Sequence, residues 1–453
     1  MRHPSYILAT AVCAILMAGC ASFDPAKERA TQTDAFRKSL AEKEQSLLAQ
    51  PVSLADCLNI SLTNNYDIRL AKLDRTLGKF DVDTAFSAFL PQVSASVHYN
   101  AYKKNPVVSS RRFEQGGIDA GMAIFMPSTW FLYAEAKHAR EAAALRTDYV
   151  RQAIVLQTTS DFYSLCVQED LIKAYEAQVT AAQNTADRIS GLAKEGLARP
   201  WEADQAMQLL AARKTQLASA KRELDILRGN LLATMGLSPL SPLSLIREPD
   251  QPIPELDSVE SLVLKTLSQH PSLSIADRQV VISENEVRKA FCAFIPTLST
   301  FGSWTFSGND IQNTPYNNLL AGFQATYNLF SGFSNLANYR ASKTKREQAK
   351  LSREYTFLSI MTGVVSARAA VLDATENAAL ARAAYEVAQA KASDLDARAR
   401  EGLVPLHEAL DAEAERDLAQ TDAVRAGYGA RIALANLHYA MGDAVPANPE
   451  QEQ

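Results

Sequence analysis

Ala85-Phe86-Ser87-Ala88-Phe89-Leu90-Pro91 returns 205 positions later as Ala290-Phe291-Cys292-Ala293-Phe294-Ile295-Pro296. In both places a helical pattern stops at the proline and a two-residue alternation begins. After a one-residue shift the match continues at an offset of 206. Tyr133 pairs with Tyr339, Lys137 with Lys343, and Arg140-Glu141 with Arg346-Glu347. Further on, Glu195-Gly196-Leu197 pairs with Glu401-Gly402-Leu403 and Met235-Gly236 with Met441-Gly442. Chance does not hold register over that distance, so the chain reads as one unit built twice, over residues 53–237 and 258–442. A Pro-rich linker (238–257) joins the copies and a polar tail (443–453) follows. At roughly 100–200 residues per domain, 453 residues would otherwise suggest two to four separate domains.

Within each unit the periodicity changes in a fixed order. Residues 53–87 predict helix with a break at Asn64-Asn65. Val93, Ala95, Val97 and Tyr99 then alternate with Ser94, Ser96, His98 and Asn100, predicting a strand over about 91–101. Beyond a polar loop, Lys103 to Arg112, a second strand over about 115–126 sets Ile118, Ala120, Met122 and Ile124 opposite Gly117, Asp119, Gly121 and Ala123. A helix over about 128–195 follows, interrupted near Gly191, and turns at Gly196–Pro200 into a helix ending near 235. The second unit predicts strands over about 296–307 and 317–330, with Phe301 interrupting the polar face, and long helices on either side of Gly402–Pro405.

Each strand has the length of a tilted bilayer-crossing strand, although a soluble sheet with one wet face shows the same alternation. Four strands cannot close a barrel, and hydrocarbon does not tolerate an open edge. If the strands span a membrane, several copies must pool them around one axis. The helices point the same way: about 65 residues at ~1.5 Å each give roughly 100 Å, far beyond a globular helix. Tyr149, Ala153, Leu156, Ser160, Tyr163 and Val167 step by four and three, and Val155, Thr159, Phe162 and Cys166 run alongside. Two stripes imply neighbours on two sides. The fold class expected is mostly α, with four strands per chain forming part of a transmembrane barrel.

The N-terminus resembles an export signal. Arg2 precedes an apolar stretch, Tyr6 to Gly19, and Leu16-Met17-Ala18-Gly19-Cys20 is similar to the bacterial lipobox, with Met17 where Leu is usual. This makes residues 1–19 a signal peptide and Cys20 the site of lipidation (palmitate among the acyl groups), with 20–52 a lipidated tether. Ordinary cleavage beside an incidental cysteine is the alternative. Cys57, Cys166 and Cys292 show no CxxC spacing and read as small buried hydrophobes. With 47% hydrophobic and 21% charged residues the chain is no disordered polymer, and a net charge of −5 argues against binding nucleic acid.

Taken together, the doubled unit, the Ala-Phe-Leu-Pro and Ala-Phe-Ile-Pro strand entries, Leu329-Phe330-Ser331-Gly332 and the Gly402-Leu403-Val404-Pro405 turn resemble the TolC-type outer-membrane efflux proteins. The resemblance covers about residues 53–442. It departs at Ile124-Phe125-Met126-Pro127, where a shifted strand–helix junction is expected. It implies a homotrimer with a 12-stranded barrel in the outer membrane and a periplasmic helical barrel, working with a periplasmic adaptor and an inner-membrane transporter of the resistance–nodulation–division type. The implied function is passive export through the outer membrane of cargo the transporter delivers.

Within that frame the turns, with Gly196, Leu197 and Pro200 and with Gly402, Leu403 and Pro405, become helix tips for adaptor docking; plain turn chemistry is the other reading. Glu408 and Asp411 share a helix face, and in a symmetric oligomer would form carboxylate rings that constrict the pore. An acidic first turn favoured by the helix dipole is the alternative. Glu202 recurs in the first copy, but Gln205 replaces the second acid. His98, His138, His270, His407 and His438 lack metal-ligand spacing, and no nucleophile elbow, triad or phosphate loop is present, so no cofactor, metal or catalytic residue is expected. A lipid-anchored periplasmic coiled-coil adaptor or structural protein is the competing reading, but it leaves the four alternating segments unexplained.

Overall fold

The computed structural model describes residues 24–31, 33–34, 38, 48, 50–101, 112–247, 253–309 and 316–443. The signal segment, Cys20, most of the expected tether and the tail beyond Asp443 lie outside the described residues. In chain order the elements are α1 (Leu54–Asn64), α2 (Tyr66–Ser87), β1 (Gln92–Ala101), β2 (Arg112–Phe125), α3 (Pro127–Lys194) and α4 (Pro200–Thr234). Then come α5 (Val259–Gln269), α6 (Pro271–Phe291), a 3₁₀ turn (Cys292–Phe294), β3 (Thr297–Asn309), β4 (Tyr316–Thr326), α7 (Ser334–Arg400) and α8 (Leu406–Ala440). The strands form one antiparallel sheet in the order β1-β2-β3-β4.

Three sequence expectations need correction. The strand expected from 115 begins at Arg112, within the stretch read as loop. The strand expected to reach 330 stops at Thr326, opposite Thr297, the first residue of β3, because beyond it the neighbouring strand offers only Pro296 and the end of the preceding helix. Gly191 does not interrupt α3, which runs 68 residues to Lys194. One helical glycine costs only about 1 kcal/mol, and the packing of the hairpin outweighs it. The shifted junction does occur: Met126 alone separates β2 from Pro127 at the start of α3, whereas residues 327–333 separate β4 from α7.

The motif that opens each hairpin is explained by its aromatic rings. Phe86 and Phe89 lie 5.9 and 6.2 Å from Tyr133, and Phe291 and Phe294 lie 6.0 and 6.2 Å from Tyr339. Lys137 and Lys343 sit over those tyrosines at 5.3 and 4.6 Å. Each knot fastens the end of a short helix to the start of a long one.

Below the knots, the short helices are joined end to end. Asn65 caps α2, accepting from Asp67 N–H at 2.8 Å, while its amide donates to Thr234 C=O at the end of α4 (2.9 Å). Gly236 closes α4 with φ 70°, and a Cβ there would lie 2.7 Å from the Asn64 carbonyl oxygen. His270 caps α6 in the same way, its Nδ1 accepting from Ser272 N–H (3.2 Å), and Gly442 (φ 71°) packs against it. Burial lowers the His270 pKa, which keeps the ring neutral as that acceptor role requires. Thus α4 with α2, and α8 with α6, form two composite rods lying beside α3 and α7.

Both expected stripes of α3 find neighbours. Phe162, Cys166, Leu231, Leu232 and Met235 share a buried cluster with Cys57 and Ile60 of α1, while Tyr149 and Tyr163 meet Tyr439 and Tyr428 of α8. At the offset of 206, Leu437 and Met441 pack with Leu262, Val364 and Val371. Cys57, Cys166 and Cys292 are free and buried, and burial raises the Cys57 and Cys166 thiols to about 12 and about 11. Changing Gly236 to Ala is expected to destabilise the protein by at least about 1–2 kcal/mol, from left-handed backbone plus the clash, measured as a fall in Tm. Gly191→Ala, with nothing within 4 Å of its Cβ, should instead stabilise by about 0.5–1 kcal/mol.

Candidate functional site

The register of the sheet aligns the apolar positions of all four strands on one face. Val93 pairs with Ala120, and Ala120 with Gly302. Ala95 pairs with Ile118, Ile118 with Trp304, and Trp304 with Leu319. Thr300 adds Phe323 to the same face. On the opposite face Ser94, Asp119, Ser303 and Leu320 form one row, and Ser96, Gly117, Thr305 and Asn318 the next. Among the described residues no layer covers the apolar face: Val97 is 77% exposed, Leu319 77% and Phe323 75%. Phe301, the aromatic on the polar face, lies across Gly322, whose missing Cβ makes room at 3.1 Å. Phe306 fills the space over Gly116 in the same way on the apolar face.

At the other end of the molecule, α3–α4 and α7–α8 turn through the same device. Gly196 (φ 74°) donates to Ala193 C=O and Leu197 N–H to Leu192 C=O; Gly402 (φ 73°) donates to Ala399 C=O and Leu403 N–H to Arg398 C=O. These paired bonds satisfy the last carbonyls of each long helix. They also push Leu197 and Leu403 outward, 72% and 68% exposed.

The prolines differ in position. Pro200 is the first residue of α4, while Pro405 is the cap of α8. That one-residue difference separates Glu202 from Glu408. The Glu202 carboxylate accepts the Arg199 N–H at 2.9 Å and is occupied in closing its helix. Proline has no N–H to offer, so Glu408 cannot make the equivalent bond. Among the described residues neither the Glu408 nor the Asp411 carboxylate has a hydrogen-bond or ion-pair partner, and both residues are exposed, while Ala409 and Ala412, which follow them, are buried. Leu410 packs on the tip of the first hairpin, against the cluster of Ala186, Ile189, Ala203 and Ala206.

The sequence model of the outer membrane efflux proteins matches residues 57–237 and 262–443. The chain belongs to the outer membrane efflux protein family. Solved structures agree on the fold. The Campylobacter jejuni CmeC outer membrane channel (17% identical, TM-score 0.74) and the outer-membrane channel OprN (19%, TM-score 0.74) each overlap 86% of this chain, and 86% and 90% of their own. The outer membrane protein VceC from Vibrio cholerae superposes over 86% of this chain and 96% of its own, at 14% identity and TM-score 0.72. No curated protein sequence matches.

Several features of this efflux protein were not singled out from its sequence. Trp201 is exposed directly beside the first tip, and its neighbour Pro200 could have drawn attention to it. Arg247 of the linker bonds Glu169 (3.0 Å) and Asp170 of α3, and Asp170 also accepts from the Tyr428 hydroxyl at 3.0 Å. Arg213 of α4 pairs with Asp417 of α8 at 3.4 Å. No local signal announces partners so far apart in sequence. Gly402→Ala should cost about 1–2 kcal/mol in stability without altering the fold by circular dichroism, since only its left-handed backbone, and no contact, forbids a Cβ.

Proposed function

We propose that this family member is the exit duct of a tripartite efflux or secretion system, passive and without chemistry of its own. Three copies would close a 12-stranded barrel in the outer membrane and a helical barrel across the periplasm. The observation that carries this reading is a sheet that, among the described residues, has one continuous uncovered apolar face and two unpaired edges, β1 and β4. Strands of 10 to 14 residues suit a bilayer, where about 9–11 residues at about 45° suffice to cross. Four strands fall short of the roughly eight at which such barrels begin, and identical chains supply the remainder.

The helices support the same closure. Leu70, Leu73, Leu77 and Phe80 leave an exposed seam on α2, stepping by three and four. Leu351, Tyr355, Leu358, Val365 and Leu372 leave another along α7, again at heptad spacing. This second seam lies in the one described helix long and apolar enough by composition to cross a membrane, and a mating helix accounts for that composition as well as lipid does. α2 leads into β1 and α7 follows β4, so the seams belong to opposite edges and can meet around a ring. The two halves then read as copies of one unit that together supply a third of the cylinder. An adaptor would dock at the Leu197 and Leu403 tips, and a resistance–nodulation–division pump would deliver cargo. Acyl chains on Cys20 would tether the N-terminus to the same membrane.

Glu408 and Asp411 would form the constriction. Free of the capping bond that holds Glu202, they have a role still open to them, and three copies give two carboxylate rings. Glu408→Gln with Asp411→Asn is expected to raise single-channel conductance in planar bilayers and antibiotic leakage in cells; unchanged conductance removes the constriction from these residues. A cysteine placed at Asn105 should react with an impermeant maleimide on intact cells. Labelling only after the outer membrane is broken would refute the spanning barrel.

A further inference from the structure

The polar face of the sheet is built mostly of serine, threonine, asparagine, glutamine and glycine, and one patch on it departs from that pattern. Among the described residues Asp119 is the only Asp, Glu, Lys or Arg on this face. It is exposed, its carboxylate has no hydrogen-bond or ion-pair partner among the described residues, and Gly117 and Gly121 flank it on the same face. Across the ladder it pairs with Ser94 on one side and Ser303 on the other. Two large apolar side chains adjoin that same Ser303. Leu320 pairs with it from β4 and is 53% exposed, and Phe301 stands two positions before it on β3, lying across Gly322. Strand spacing places Asp119, Phe301 and Leu320 within about 10 Å of one another around a small central residue.

We propose that Asp119, Phe301 and Leu320 form a transit site for organic cations with an apolar body, repeated in each copy around the bore. The proposal rests on the duct reading, which turns the opposite face of the sheet to lipid and this one to the channel. The carboxylate supplies an uncompensated negative charge. Phe301 supplies the electron-rich face of a ring, and Leu320 an apolar surface beside it. Together they suit a cation whose charge is carried on an apolar frame, and they disfavour an anion of the same shape. The remainder of the face, uncharged and hydrogen-bonding, offers such a molecule neither contact.

Magnitudes decide what the patch can act on. Twelve strands about 4.8 Å apart and tilted by about 40° make a cylinder of radius about 12 Å. An ion on the axis then lies roughly 10 Å from each carboxylate, about one Debye length at 0.1 M salt, and is scarcely affected. A cation resting on the wall about 4 Å from Asp119 gains about fivefold in affinity even at the dielectric constant of water. Contact with the Phe301 ring adds about two- to fivefold. The site therefore sorts bulky cargo that touches the wall, not the small ions that carry current. In this it differs from Glu408 and Asp411, which would act where the duct is narrow.

The test uses the full-length protein in discs of neutral lipid, with tetraphenylphosphonium and tetraphenylborate as probes of equal shape and opposite charge. Equilibrium dialysis, corrected with empty discs, measures the binding of each. Asp119→Asn should weaken tetraphenylphosphonium binding about fivefold and leave tetraphenylborate binding no weaker, while Asp119→Glu keeps the cation preference. Phe301→Leu, which preserves apolar bulk over Gly322, should weaken the cation by about two- to fivefold. Cation binding that ignores Asp119→Asn, or an equal loss for both probes, overturns the site. The duct reading is tested separately by conductance in planar bilayers. A protein that passes no current yet binds the cation through Asp119 would sink the duct and leave the site standing, and a conducting protein indifferent to Asp119→Asn would do the reverse.

Discussion

A peptide group on the edge of a sheet needs a partner, and the described residues of this protein leave two long edges open. β1 and β4 bound a sheet whose apolar side no described helix covers. In water such a sheet would aggregate; in lipid each unpaired N–H and C=O would cost several kcal/mol. Neither setting suits a single chain, and a ring of chains in a bilayer suits both constraints at once. The exposed seams on α2 and α7 belong to the elements that adjoin those edges, so the helical part carries the same demand for a neighbour.

Packing is graded along the helices. Near the joints the core is made of large side chains, Phe162, Leu165, Leu231, Leu232 and Met235, all close to fully buried. Towards the turns it thins to Ala182, Ala186, Ala203, Ala206, Ala409 and Ala412 around Ile189. At about 0.8 kcal/mol per buried methylene, an alanine seam holds far less than a leucine one. The upper region is pinned further by Arg247 on α3 and by the Tyr149–Tyr439 hydroxyl pair at 2.7 Å. Charge adds to this thinner packing, since Arg213 of α4 pairs with the buried Asp417 of α8 at 3.4 Å.

Much of this could be read in the sequence because repeats and alternation are local signals. The proline-ended aromatic motif marked both strand entries, and the glycine turns marked both hairpins. What could not be read was cooperation between distant residues. Glu202 and Glu408 look alike in sequence, yet one carboxylate closes its helix and the other is free, and a one-residue shift of proline relative to the helix start decides it. Phe301 looked misplaced until Gly322 was seen beneath it.

The amino-acid order therefore determined the elements, their succession and the faces of the strands, since these follow from periods of 2 and 3.5 and from where proline and glycine stand. Register, the end-to-end joints, the meeting of Arg213 with Asp417 and the bareness of the sheet were decided only in three dimensions. They depend on which backbone and charged groups come within a few ångström after the chain has turned back on itself, and no short stretch of sequence contains that distance.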